Sequence, residues 1–207
     1  MDVLFASLVA VFAGLLLFAE WRELRALKFI AKPLAASSFV ACAVARGAMD
    51  TPYGQVLLVA LVFSWFGDVF LLSRATKIFL AGLVAFLLGH LAYAGAFLVQ
   101  GLSWPWAAAG AALCGAVFVP VRGWLLPHVE PKMKVPVLAY MTVISVMLAG
   151  AVGVAATGRP LTLIAAVMFY VSDLSVARDR FVAPGFVNKT WGLPLYFGAQ
   201  VAFCWTV

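Results

Sequence analysis

Two of the eight acidic residues in this 207-residue chain lie inside apolar runs, Asp68 in FSWFGDVFLLSR and Asp173 in FYVSDLSVARDRF. The other six, Asp2, Glu20, Glu23, Asp50, Glu130 and Asp179, fall at the ends of apolar stretches or between them. A charge at mid-helix in hydrocarbon costs about 2.5–3.5 kcal/mol on insertion scales, so such a residue is expected to face an interior site or a partner. Two carboxyl groups sharing a dry pocket repel each other, which favours one protonated and one ionised group, a general acid beside an anion. Lys32, followed by Pro33, is a cation that can join them.

Other polar side chains lie in or beside the apolar runs. The segment GHLAY places His90 and Tyr93 three residues apart, hence on one helical face. Tyr140, Asn188, Tyr196 and Gln200 add hydrogen-bonding groups, and Tyr196 and Gln200 share a face at a spacing of four. Ser64 stands four residues before Asp68, where its hydroxyl bonds either that carboxylate or its own helix. Ser172 directly precedes Asp173. The chain has only two histidines, and His128 reads as a loop residue, so a metal site built on several histidines is not expected, nor is a cofactor. No Gly-x-Ser-x-Gly elbow is present. Cys42, Cys114 and Cys204 form no Cys-x-x-Cys pair and read as small buried apolar residues.

The elements that position these groups follow from composition. With 66% hydrophobic residues, 11% charged residues and a mean hydropathy of +1.09, the chain has more apolar surface than one water-soluble core can hide. A bilayer core about 30 Å thick needs roughly 20 apolar residues per helix. Runs of that kind predict eight spans, near 3–19, 29–46, 54–73, 77–99, 104–122, 135–157, 159–177 and 189–206. Strand alternation is lacking, and open sheets leave edge amides unsatisfied in lipid. The fold class expected is therefore all-α: a polytopic membrane protein of about eight transmembrane helices, one bundle over 1–207. The N-terminus lacks the basic region of a signal peptide, so the first span is expected to be retained.

The net charge of +6 is a topology signal, not a nucleic-acid signal. Loops after the odd-numbered spans, with Lys32, carry twelve basic residues, while the opposite side holds only Arg46 and Arg159. The positive-inside rule then puts both termini outside and the basic loops in the cytosol. Asp68 is expected about two turns from the Arg74 edge, Asp173 about one and a half turns from Arg178, and Lys32 in the same layer. His90 is expected deeper, where a direct bond to either aspartate needs a kinked or shifted helix. Lys32-Pro33 with Gly67-Asp68, and Lys134-Val135-Pro136 with Ser172-Asp173, hint at two parallel four-helix halves. On the residues alone, the pair suits either hydrolysis of a lipid ether, epoxide or ester, or transport of a proton-coupled cation or amine.

FSWFGDVFLL, GLVAFLLGHLAY, FYVSDLSVARDRF and GLPLYFGAQ, with Lys32-Pro33 and Pro136 to Tyr140, resemble in order the signature segments of the YhhN-like lysoplasmalogenases. The resemblance covers nearly the whole chain, span five excepted. It implies an eight-helix enzyme that hydrolyses the vinyl ether bond of lysoplasmalogens, releasing a fatty aldehyde and glycerophosphoethanolamine or glycerophosphocholine. By the same resemblance Asp68 and Asp173 are the catalytic carboxylates, and Lys32, His90, Tyr140, Asn188 and Tyr196 line the pocket. Ser64, Tyr93, Ser172 and Gln200 join them as substrate-binding candidates, and Arg178, Arg180 and Lys189 as head-group candidates. The expected partners are a lysophospholipid and membrane lipid, and the expected location is a bacterial inner membrane with the site opening to the cytosol.

Overall fold

The computed structural model of the protein describes residues 1–73 and 75–207; Arg74, expected to mark the membrane edge after the third span, lies outside them. Eight helices follow one another: α1 (Asp2–Trp21), α2 (Arg25–Ala45), α3 (Pro52–Phe70), α4 (Thr76–Gln100), α5 (Trp104–Leu125), α6 (Pro131–Ala155), α7 (Pro160–Ala177) and α8 (Phe186–Cys204). A 3-10 turn (Leu126–His128) follows α5, and a π-helical turn (Arg178–Val182) continues α7. There is no strand among the described residues.

Local chemistry sets the helix ends. Thr51 caps α3 by accepting a hydrogen bond from the Gly54 amide, and prolines open α3, α5, α6 and α7, where a missing N–H costs nothing. Gly47, Gly101 and Gly158 take φ of 87°, 86° and 90° just past α2, α4 and α6, a left-handed backbone that stops a helix cheaply.

Seven helices, α1 to α7, are long and apolar enough to cross a membrane, so the chain is a polytopic membrane protein. The eighth expected span exists as the 19-residue α8 but is less apolar, because it carries Asn188, Lys189 and Gln200. It nevertheless packs against α1, α2 and α7. The pairs α1–α2, α2–α3, α3–α4, α4–α6, α6–α7, α7–α8 and α8–α1 close a ring of seven helices, with α5 packed chiefly on the outside of α6. Val119 and Val135 are 69% and 74% exposed, which is the outward apolar surface that lipid covers. Inside, Ala31, Ala35 and Ala36 are fully buried and let α2 approach its neighbours closely. The pairs α4–α6 and α2–α8 correspond under a two-half relation, whereas α1 packs on α8 and its counterpart α5 stays at the rim.

Candidate active site

Asp68 is two residues from the end of α3 and 1% exposed. Its Oδ1 lies 3.1 Å from the Lys32 ammonium of α2, and its Oδ2 accepts a 2.6 Å hydrogen bond from the Tyr196 hydroxyl of α8. Three helices thus meet on one carboxylate. Burying an acid this deeply is tolerable because a cation and a donor take up both oxygens.

Asp173 on α7 has different company. Its Oδ2 accepts a 2.6 Å bond from the Tyr140 hydroxyl of α6 and lies 3.2 Å from Nε2 of His90 on α4. Tyr140 and His90 are themselves 2.9 Å apart. The tautomer with hydrogen on Nε2 donates to Oδ2 and leaves Nδ1 as an acceptor, buried without a partner among the described residues. Both contacts fall on Oδ2, and the Asp173 side chain keeps 16% of its surface open. His90 therefore reaches Asp173 directly, although it was expected too deep. The reason is that α7 runs on through the π-helical turn to Val182, which sets Asp173 further from that end than an edge at Arg178 implies.

The two clusters share a cavity of about 880 Å³ bordered by Lys32, Asp68, Tyr140, Ser172, Asp173 and Tyr196. Aromatic rings separate them: Phe169 packs edge-on against His90 at 4.6 Å and against Tyr196 at 5.3 Å between ring centres, and Phe86 contacts both Phe169 and Tyr196. One lobe of the cavity is apolar, formed by Phe79, Leu83, Val121, Leu125, Val137 and Met141 from α4, α5 and α6. A second, charged lobe has Glu20, Glu23, Arg25 and Lys28 from the α1–α2 corner, Asp179 from the π-helical turn and Lys189 from α8. A volume of this size lies within the usual range for small-molecule sites, and its two-faced lining fits an amphiphile.

Several expected contacts lie behind the wall. Ser64 is fully buried and bonds back to the Ala60 carbonyl at 2.9 Å, and Ser172 bonds back to Phe169 at 2.7 Å while touching the cavity. Tyr93, fully buried and stacked on Phe203, donates to Gln200 Oε1 at 2.5 Å and so ties α4 to α8. Asn188 accepts from Arg178 at 2.5 Å and donates to Asp179 and to the Ala183 carbonyl, a clasp that holds the π-helical turn against α8. Among the described residues, Arg178 and Asn188 do not border the cavity, whereas Arg180 and Lys189 do. Lys189 is paired with Asp179 at 2.7 Å, and the Arg180 guanidinium sits 4.3 Å over the Phe79 ring. Sequence reasoning missed the α1–α2 corner, whose charges were read for topology alone. The signal available was the mixing of Glu20 and Glu23 among Arg22, Arg25 and Lys28 in an otherwise basic loop.

Comparison with known proteins gives the chain's relatives. Two relatives carry the name lysoplasmalogenase TMEM86A: the Bos taurus protein is 30% identical over 157 residues, and the Homo sapiens protein is 31% identical over 157 residues. In each case the match takes in 72% of this chain and 64% of the relative, so the chain spans less than two thirds of these relatives' length. No solved structure matches the chain. The YhhN family matches over residues 27–207, which include Lys32 and both aspartates, and the chain belongs to that family.

Proposed function

We propose that the protein hydrolyses the vinyl ether bond of a lysoplasmalogen, using Asp173 as general acid and Asp68 as the companion anion. The observation that carries this reading is the unequal company of two carboxylates on one cavity: Asp68 against an ammonium, Asp173 against a phenol and an imidazole. The Lys32 ammonium stands 3.1 Å from Asp68 and offsets the charge of that carboxylate in its anionic role. Asp173 accepts both of its contacts on Oδ2, which leaves Oδ1 without a partner among the described residues. The name borne by the relatives of Bos taurus and Homo sapiens supports the same substrate class.

The steps balance. Asp173 transfers its proton to the alkenyl carbon beta to the ether oxygen, leaving an oxocarbenium ion that the Asp68 carboxylate and nearby aromatic faces stabilise. Water adds to the cationic carbon and yields a proton to Asp68. The hemiacetal then collapses: its hydroxyl proton returns to Asp173, Asp68 protonates the departing glycerol oxygen, and a fatty aldehyde leaves. Both groups end in their starting states, and no further co-reactant is needed. The apolar lobe takes the hydrocarbon chain and the charged lobe takes the head, which sets the vinyl ether between the acids.

The test is aldehyde release from 1-alkenyl lysophosphoethanolamine by purified protein. Wild type is expected to turn over, while Asp68→Asn and Asp173→Asn, each shown to be folded by thermal unfolding in detergent, lose activity by a factor of about 10³ or more. A folded wild type that makes no aldehyde from ethanolamine or choline substrates overturns the reading in favour of another lipid or of transport.

A further inference from the structure

Most charges bordering the cavity's charged lobe are paired, and two opposite charges are left over. Lys28 is neutralised by Glu20 at 2.7 Å, Lys189 by Asp179 at 2.7 Å, and Lys32 by Asp68 at 3.1 Å. Glu23 and Arg25, both bordering the cavity and both exposed, make no ion pair or side-chain hydrogen bond with the described residues. One carboxylate and one guanidinium, two residues apart across the α1–α2 corner, thus face the mouth without a partner.

The backbone singles out the same residue. Glu23 is the one non-glycine residue with positive φ among those described, at 56°. It occupies the left-handed position of a helix-ending motif: the Leu24 amide bonds the Ala19 carbonyl at 2.9 Å and the Glu23 amide faces the Glu20 carbonyl at 3.4 Å. Glycine or asparagine is the residue this position prefers, because a Cβ there is crowded against the backbone. The turns after α2, α4 and α6 obey that preference with Gly47, Gly101 and Gly158. A glutamate kept in a strained position at a cavity mouth is a local rule broken where a ligand would sit.

We infer that Glu23 and Arg25 form a head-group subsite for a zwitterionic phosphodiester, with Arg25 on the phosphate oxygens and Glu23 on the terminal ammonium. This rests on the lysolipid reading given above. The guanidinium matches a phosphate by paired N–H donors, and the carboxylate accepts from a primary ammonium or attracts a quaternary one. Specificity follows from the pair: a head lacking the ammonium leaves Glu23 facing phosphate, a repulsion, and a head lacking both charges gains nothing from either residue.

The experiment compares three substrates on one alkenyl chain: lysophosphoethanolamine, the bare glycerol phosphate, and the headless alkenyl glycerol. In Arg25→Gln the kcat/KM ratio of lysophosphoethanolamine to alkenyl glycerol is expected to fall roughly tenfold or more. In Glu23→Gln the ratio of lysophosphoethanolamine to the bare phosphate falls by a similar factor. Glu23→Gly is the second control on Glu23: it should lose the same selectivity while raising Tm by roughly 2–4 °C, since the strain is relieved. Ratios equal to wild type in the glutamine variants, or a lower Tm in the glycine variant, overturn the inference. Should wild type release no aldehyde at all, the hydrolase reading falls on its own, and the subsite is judged by thermal stabilisation with non-hydrolysable alkyl-ether analogues of the three heads. Head-dependent stabilisation that disappears in both glutamine variants supports it, and stabilisation blind to the head overturns it.

Discussion

At the scale of single residues, the site is governed by what each buried carboxylate would be without its partners. Lys32→Met leaves Asp68 buried and unpaired, which for a broken buried pair costs about 3–5 kcal/mol. Lys32→Met with Asp68→Asn removes both charges, so the double variant should unfold at a higher temperature than the lysine variant alone while remaining inactive. Thermal melts of the four proteins in one detergent decide this; a double variant less stable than Lys32→Met would mean that the 3.1 Å pair contributes nothing. Tyr196→Phe and Tyr140→Phe each delete a 2.6 Å donor to one carboxylate. A hydrogen bond to a charged group contributes about 1.5–3 kcal/mol, so kcat should drop roughly 10- to 100-fold in each, with KM nearly unchanged. An equal rise in KM would instead make the phenols substrate contacts. If the proposed pair works as acid and anion, kcat should fall on both sides of a pH optimum, and neither aspartate variant should retain the full bell.

At the scale of the helix, the critical feature is how closely α7 and α8 approach. A Cβ placed on Gly192 would lie 1.8 Å from the Ser175 hydroxyl and 2.7 Å from its Cβ, closer than atoms can come. Gly192→Ala therefore pushes α8 off α7, and α8 carries Tyr196 one turn further on while α7 carries Asp173. We expect about 1–3 kcal/mol of destabilisation from overpacking together with a loss of activity larger than that stability change implies. Adding Ser175→Gly should restore both, by melting temperature and aldehyde assay, and failure of the rescue would place the damage elsewhere. This crossing was invisible in the sequence, where Gly192 was one glycine among 17. The helices themselves were legible, because apolar runs bounded by charge and by Pro or Gly are dictated by the bilayer and not by tertiary detail. Asp68 and Asp173 were legible for the same reason, since an acid in an apolar run stands out against a sparse background. Depth was less so. It depends on where a helix ends, and the π-helical continuation of α7 to Val182 shifted Asp173 relative to His90. Side-chain direction was least legible: Tyr93, Gln200 and Asn188 are polar residues of the same kind as Tyr140 and Tyr196, yet they bond between helices behind the cavity wall.

At the scale of the whole molecule, the distribution of charge leads to a prediction about the direction of approach. The mouth is bordered by the α1–α2 corner, by Leu72 and Ser73 after α3, and by Pro184 and Gly185 before α8. Those connections alternate regularly with the ones that carry Arg46 and Arg159, and they belong to the basic side of the chain. If positive charge sets orientation, the mouth faces the cytosol, and the lysolipid enters from the inner leaflet with its head at the membrane surface. The site is then asymmetric with respect to supply: substrate placed in the outer leaflet has to cross the bilayer first. This is testable without purification. Sealed vesicles are prepared from cells in right-side-out and inverted form and offered 1-alkenyl lysophosphoethanolamine from outside, with aldehyde followed at early times. Inverted vesicles should produce aldehyde promptly, right-side-out vesicles only after a lag set by lipid crossing, and detergent should abolish the difference. Prompt release by right-side-out vesicles alone would reverse the orientation while leaving the cavity and its acid pair untouched, because the chemistry depends on which helices meet and the sidedness only on which loops were retained.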